Sequence, residues 1–161
     1  MKTKGFIFSD THWNSSSSVP DFLFDLLQDC DFAVHAGDWT DGEAVGVFSS
    51  LTSLFAVCGN CDYSDVRRFL PVSRIQEIGG VSIGITHGRR KGPAVLDDLS
   101  CEFPACDLVI FGHSHVPFCE KRGRTVFFNP GSLSFPRGGF SPSYGIIEIE
   151  NGNISLNHVF L

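Results

Sequence analysis

The chain has 161 residues, 42% of them hydrophobic and 19% charged, with a formal net charge of −6. This length and apolar content suit one domain, residues 1–161, with a substantial core, and exclude a chain kept disordered by lack of apolar surface. The acidic balance excludes a broad basic nucleic-acid surface but leaves room for a small anionic substrate if a cation supplies the charge.

At the N-terminus, Phe6-Ile7-Phe8 is far shorter than the apolar run of a signal peptide, and no later run reaches membrane-spanning length. A cytoplasmic protein with no membrane partner is therefore expected. Its six cysteines, Cys30, Cys58, Cys61, Cys101, Cys106 and Cys119, are expected to be reduced thiols, most of them small core residues. Lys4–Ser9 reads as a first strand, with Asp10-Thr11-His12-Trp13 at its end. Alternation along an extended segment places Asp10 and His12 on one face.

Ser15–Ser18 is a polar connection, and Val19-Pro20 opens an amphipathic helix over Asp21–Gln28, with Phe22, Leu23, Leu26 and Leu27 at helical spacing. Phe32–Ala36 is a second strand that stops at Gly37-Asp38-Trp39-Thr40-Asp41. A helix over Gly42–Ser50 leads to a third strand, Leu54–Val57, which ends in Cys58-Gly59-Asn60-Cys61-Asp62. Ser64–Leu70 is a short helix stopped by Pro71. Arg74–Ile78 and Val81–Ile85 form a hairpin through Gly79-Gly80, and its second strand runs into Thr86-His87-Gly88-Arg89-Arg90. A helix over Gly92–Leu99, starting near Pro93, precedes the strand Cys106–Phe111 and Gly112-His113-Ser114-His115.

From Val116 onward strands follow one another without helices: Phe118–Lys121, Thr125–Phe128, Tyr144–Glu150 and Ile154–Phe160. They are joined at Arg122-Gly123, by a Gly/Ser/Pro-rich loop opening with Asn129-Pro130-Gly131-Ser132, and at Asn151-Gly152. A strand–helix half followed by an all-strand half predicts a mixed α/β (α+β) arrangement, two packed sheets with helices outside, and functional residues beyond a common edge of strand ends.

The polar residues at those strand ends are Asp10, His12, Asp38, Asn60, His87, His113 and His115. This nitrogen and oxygen set suits Mn, Fe, Co, Ni or Zn, and seven donors exceed the needs of one ion. No Ser-His-Asp arrangement is needed if a metal activates water.

Taken together, Asp10-x-His12, Gly37-Asp38-x-x-Asp41, Gly59-Asn60-Cys61-Asp62, Thr86-His87-Gly88 and Gly112-His113-Ser114-His115 resemble the calcineurin-like metallophosphoesterases in order and spacing. The compact length and Asn129-Pro130-Gly131-Ser132 are similar to the small prokaryotic phosphodiesterase branch. The resemblance implies a four-layer αββα sandwich of two mixed sheets flanked by helices. It also implies two divalent ions, Mn first with Ni, Fe, Co or Zn as alternatives. Asp38 would bridge them: Asp10, His12, Asp38 and His115 would hold one, and Asp38, Asn60, His87 and His113 the other. The implied reaction is hydrolysis of a small phosphodiester by a metal-bridging hydroxide, and a dimer or tetramer is compatible with the family.

Two positions depart from the family pattern. Cys61 stands where many relatives carry a histidine, and a thiol is a poorer hydrogen-bond donor than imidazolium; activated aryl diesters should therefore react more readily than alkyl ones. Arg89 stands where relatives often place another histidine. It is either a phosphate clamp, as Arg90 also could be, or with Arg90 and Lys91 part of a solvated loop. Asn60, Cys61, Asp62 and Arg89 form the expected catalytic set, with Asp41, Asp62 and Asn129 also candidates to support the ligands. His35 either supports Asp38 or is a polar strand residue, and His158 reads as a surface residue. The spacing Cys58-x-x-Cys61 matches a redox or zinc motif but lacks a second pair. Phe135, Phe140 and Tyr144 belong to the core, to an active-site rim or to a subunit contact.

The alternatives are a phosphomonoesterase or protein phosphatase, for which the chain is short of groove-forming loops, and a metal-binding scaffold like the eukaryotic retromer subunit that resembles this fold. The filled ligand set favours catalysis.

Overall fold

The computed structural model describes residues 2–161 apart from Ser16, Ser17, Lys91 and Pro93. Part of the Ser15–Ser18 connection, the Lys91 position and the helix start at Pro93 thus lie outside the described residues. The elements are β1 (Lys2–Phe8), α1 (Phe22–Gln28), β2 (Phe32–His35), α2 (Gly42–Leu51), β3 (Ser53–Ala56), α3 (Ser64–Phe69), β4 (Ser73–Ile78) and β5 (Val81–Thr86). They continue with α4 (Ala94–Glu102), β6 (Leu108–Ile110), β7 (Pro117–Arg122), β8 (Thr125–Pro130), β9 (Ser143–Glu150) and β10 (Asn153–Phe160).

Two five-stranded mixed sheets result, in the orders β10-β9-β1-β2-β3 and β4-β5-β6-β8-β7. Each has three parallel strands, β1, β2 and β3 in the first and β5, β6 and β8 in the second. Antiparallel strands complete them: β9 and β10 beside β1, and β4 and β7 at the two edges of the second sheet.

Period-two alternation decides which way each strand faces. Ile7, Phe32 and Val34 point inward and meet Ile83, Ile85, Leu108, Ile110 and Phe128 in a core between the sheets. Their neighbours Phe6, Phe8 and Ala33 point outward against Leu23 and Leu27 of α1 and Ala44 and Phe48 of α2. On the far side, Val109 and Phe127 pack under Val95, Leu96 and Leu99 of α4. The layers are therefore helix, sheet, sheet, helix, as expected. No helix among the described residues is long and apolar enough to cross a membrane.

Several expectations are corrected. Helix α4 runs on to Glu102 rather than stopping at Leu99: the Phe103 N–H still donates to the Leu99 carbonyl, and Pro104 is the next residue that cannot extend a helix. Pro20 lies outside α1, whose N-cap is Asp21. Strand β6 shrinks at both ends to Leu108–Ile110, although backbone bonds of Asp107 to Ser82 and Val126 and of Phe111 to Phe128 continue just outside it. All six cysteines are free thiols, but only Cys58 and Cys106 are buried, so most are not core residues. Tyr144 is buried against Phe6 and is no rim residue, and Phe140 stacks on Phe160.

Candidate metal centre

The parallel strands of both sheets end at one edge, and their tails stay paired beyond the strands. Asp10 N–H donates to the Gly37 carbonyl and His12 N–H to the Asp38 carbonyl, both at 3.0 Å, while Gly112 N–H donates to the His87 carbonyl at 3.1 Å. In these tails Asp10, His12, Asp38, Thr40, His113 and His115 all have positive φ, between 49° and 86°. Asp and His tolerate the left-handed region better than most residues, and Asp10, His12, Asp38 and His115 bring their ligating atoms together from these tails. Two glycines permit the close approach of the loops. A Cβ on Gly59 would overlap the Asp38 carboxylate, and one on Gly112 would overlap Ser9 Oγ.

Ligating atoms of Asp10, His12, Asp38 and His115 lie within 4.8 Å of one another. Within this group His115 Nε2 is 3.4 Å from Asp10 Oδ1 and 3.3 Å from His12 Nε2, and His12 Nε2 is 3.7 Å from Asp38 Oδ2. A second set adjoins it: His87 Nε2 is 3.2 Å from Asp38 Oδ2 and 3.1 Å from Asn60 Oδ1, and His113 Nδ1 is 3.0 Å from the same Asn60 oxygen. Asp38 Oδ2 thus faces both sets, while its Oδ1 accepts from the Cys61 N–H at 2.8 Å. All seven expected ligands converge.

The tautomers of two histidines are set from outside. His87 Nδ1–H donates to the Ala36 carbonyl and His115 Nδ1–H to the Phe135 carbonyl, both at 2.7 Å, which turns each Nε2 inward: a lone pair on His115, and on His87 a proton shared with Asp38 that a cation would displace. Electrostatics point the same way. Burial pushes Asp10 up to about 7, although His87 and the Ser9 hydroxyl oppose it. Burial also works against ionised Asp38, but the hydrogen bond and charge of His87 hold its carboxyl well below the usual range, and His87 is raised in turn. Burial lowers His115 to about 4. Two buried carboxylates and inward-facing imidazole Nε2 atoms are a donor set that a cation would complete, so these residues fit a divalent metal.

Other polar residues hold the ligands rather than join them. Asp62 accepts from the N–H groups of Gly59 (2.6 Å), Thr40 (2.7 Å) and Asp38 (3.2 Å), tying the β2 and β3 tails together. His35, fully buried, stacks on Trp39, accepts from Gly37 N–H at 3.1 Å and donates to Thr11 Oγ1 at 3.1 Å, so it supports both the Asp10 and Asp38 tails. Asn129 donates to the Gly112 carbonyl at 2.8 Å, and Ser132 Oγ donates to the Asp10 carbonyl at 2.7 Å. Asp41 instead caps α2 through the Glu43 N–H.

Arg89 is exposed and lines a cavity of about 740 Å³ beside Asn60 and His87. Cys61 is exposed at the opposite mouth, beside His12 and His115, where burial and the Asp38 charge raise its thiol. The Cys58-x-x-Cys61 pair is split, one thiol buried and the other at the surface. His158 is not a plain surface residue: it stacks on Phe128 and its Nε2–H donates to the Asn129 carbonyl at 2.7 Å. Sequence reasoning missed Ser9, whose hydroxyl donates to Asp10 Oδ2 at 2.9 Å, and the Phe135 carbonyl. The first sits beside a ligand and was findable; the second depends on where a long loop returns.

The family model described as "Calcineurin-like phosphoesterase superfamily domain" matches residues 4–152. A probable metallophosphoesterase of Methanothermobacter thermautotrophicus is 34% identical over 151 residues, 89% of this chain and 84% of that protein. Phosphodiesterase YfcE of Escherichia coli is 37% identical over 101 residues, 59% of this chain and 52% of that protein. The crystal structure of a predicted phosphoesterase from Streptococcus pneumoniae TIGR4 superposes with a TM-score of 0.80 at 25% identity, covering 99% of this chain and 90% of that one. A match running from β1 to the β9–β10 turn takes in every strand tail that carries a candidate ligand, and the chain accordingly belongs to the calcineurin-like phosphoesterase superfamily as a metallophosphoesterase hydrolase.

Proposed function

We propose that the chain is a metal-dependent phosphodiesterase with two divalent ions sharing Asp38. Asp10, His12, Asp38 and His115 would hold one, and Asp38, Asn60, His87 and His113 the other. The observation that carries this reading is Asp38 Oδ2, which faces His12 of the first set at 3.7 Å and His87 of the second at 3.2 Å. When bound, divalent ions in such a pair acidify water and offset the charge of a phosphate. The nitrogen and oxygen donors suit Mn first, with Ni, Fe, Co or Zn as alternatives. The likeness to a protein named a phosphodiesterase supports a diester substrate.

The chain's own residues have defined tasks. Ala36 and Phe135 carbonyls hold the Nδ1–H groups of His87 and His115, so Nε2 is the nitrogen each ring would offer to a metal. The Cys61 backbone N–H fixes Asp38, while its raised thiol keeps a proton on Sγ at neutral pH and can donate a hydrogen bond to a departing oxygen. Asn60 presents its Oδ1 between His87 and His113.

The test is hydrolysis of bis(p-nitrophenyl) phosphate by metal-stripped protein titrated with Mn, Ni, Co, Zn or Mg, alongside Asp38→Ala. Activity should appear with metal at two ions per chain. Outer partners of a metal site contribute about 10–100-fold, so loss of the shared ligand should cost more than about a hundredfold. Two bound ions with no turnover of diesters or monoesters would overturn the reading.

A further inference from the structure

Two cavities flank the centre, one on each side. In the cavity of about 740 Å³ by Asn60 and His87, most guanidinium groups are committed: Arg67 donates to the Asp62 and Asn60 carbonyls at 2.7 and 2.6 Å, and Arg90 pairs with Asp98 at 3.3 Å. The other, of about 650 Å³, opens by His12 and His115 and is walled by Cys61, Tyr63, Phe135 and Arg137. Its two aromatic side chains are 58% and 55% exposed, and the Phe135 ring stands edge-on to His12 at 5.6 Å.

This wall is firmly seated. The Phe135 carbonyl accepts from His115, the Phe135 N–H donates to Ser132 Oγ at 2.9 Å, and the Arg137 N–H donates to the His115 carbonyl at 3.1 Å. Among the described residues no hydrogen bond or ion pair engages the Arg137 guanidinium.

We infer that this second cavity is a subsite for a planar aromatic substituent of the phosphodiester, stacked on Phe135 and Tyr63, with Arg137 binding a non-bridging phosphate oxygen. The inference rests on the phosphodiesterase reading. A diester carries a substituent on either side of phosphorus, and a centre between two cavities receives one in each. Exposed rings accept any flat partner through stacking, and an uncommitted guanidinium supplies the fork that matches a phosphate edge. The same chemistry serves an aryl group or a nucleobase.

Dissociation constants of methylphosphonate, phenylphosphonate and the 5′-methylenephosphonate of thymidine for the Mn-loaded protein test it by calorimetry, since none of the three turns over. At least one aromatic ligand should bind about tenfold tighter than methylphosphonate, and the tighter of the two identifies aryl or nucleobase. Phe135→Ala should erase that preference. Arg137→Gln should weaken all three about tenfold, with Arg137→Lys recovering part. No aromatic preference in the wild type, a preference that survives Phe135→Ala, or unchanged affinity in Arg137→Gln overturns the inference. Diester turnover by the same wild-type sample separates the two ideas: turnover without preference sinks only the subsite, whereas preference without turnover sinks the phosphodiesterase reading and with it the diester assignment, leaving an aromatic-binding cavity.

Discussion

Individual ionisable groups at the centre compete with a cation for their own protons. Asp10, at about 7, is raised above its ordinary value by burial, and His87 is raised by Asp38 and Asp10 against its burial. A cation must displace those protons, so its affinity falls as pH drops through about 7, by about one to two log units per pH unit, and levels off above the folded values. His115, lowered to about 4, is already neutral there and adds a dependence only at much lower pH. Manganese titrations between about pH 6 and 8 should show this slope with proton release, and Asp10→Asn should remove about one proton of it. A flat wild-type profile contradicts the assignment. The seven candidate ligands that the structure brings together were legible in the sequence because each lies just past an apolar run, beside a small or polar residue. The supporting part played by Asp62 was only partly so: its acceptors reach N–H groups up to 24 positions away.

At the scale of elements, the strand tails depend on what ties them together. The Asp62 carboxylate serves three N–H groups in two tails and is buried. In Asp62→Asn an amide NH₂ would confront at least one of those donors. The expected cost is about 3 kcal/mol in urea unfolding, and displaced Asp38 and Asn60 should weaken manganese binding about 10–100-fold. Stability within about 0.5 kcal/mol of wild type would show the tails to be held by something else. Element boundaries were readable where glycine or proline directly punctuates, as at Gly79-Gly80 and Pro71, and were misread where no such residue stands at the expected end. Strand β6 starts two residues later and ends one earlier than expected, while helix α4 overran its expected end toward the next proline, Pro104.

In the whole molecule, each ligand set draws on both sheets: Asp10, His12, Asp38 and Asn60 leave the first, and His87, His113 and His115 the second. A cation held there fastens one end of the sandwich, whose interior is otherwise joined by apolar packing between Ile7, Val34, Ile83 and Ile110. Manganese at about 100 times its dissociation constant should stabilise the fold by about 2.7 kcal/mol. That corresponds to a melting temperature about 5–10 °C higher than in chelator for a chain of this size. Calorimetry showing equal melting temperatures with manganese and with EDTA would rule out this fastening. The two-sheet architecture was foreseeable from a strand–helix half followed by an all-strand half. The insertion of β8 between β6 and β7 was not, because nothing local in Thr125–Pro130 names its neighbours.

The hydrogen bond from His113 to Asp10 joins residues 103 apart, and that from Ser132 to Asp10 spans 122. During synthesis, then, the first donors emerge long before their partners, and a growing chain that ends before β6 carries no complete ligand set. Such distant closures come late in folding. The site that would hold a cation is therefore assembled only after most of the protein has been made.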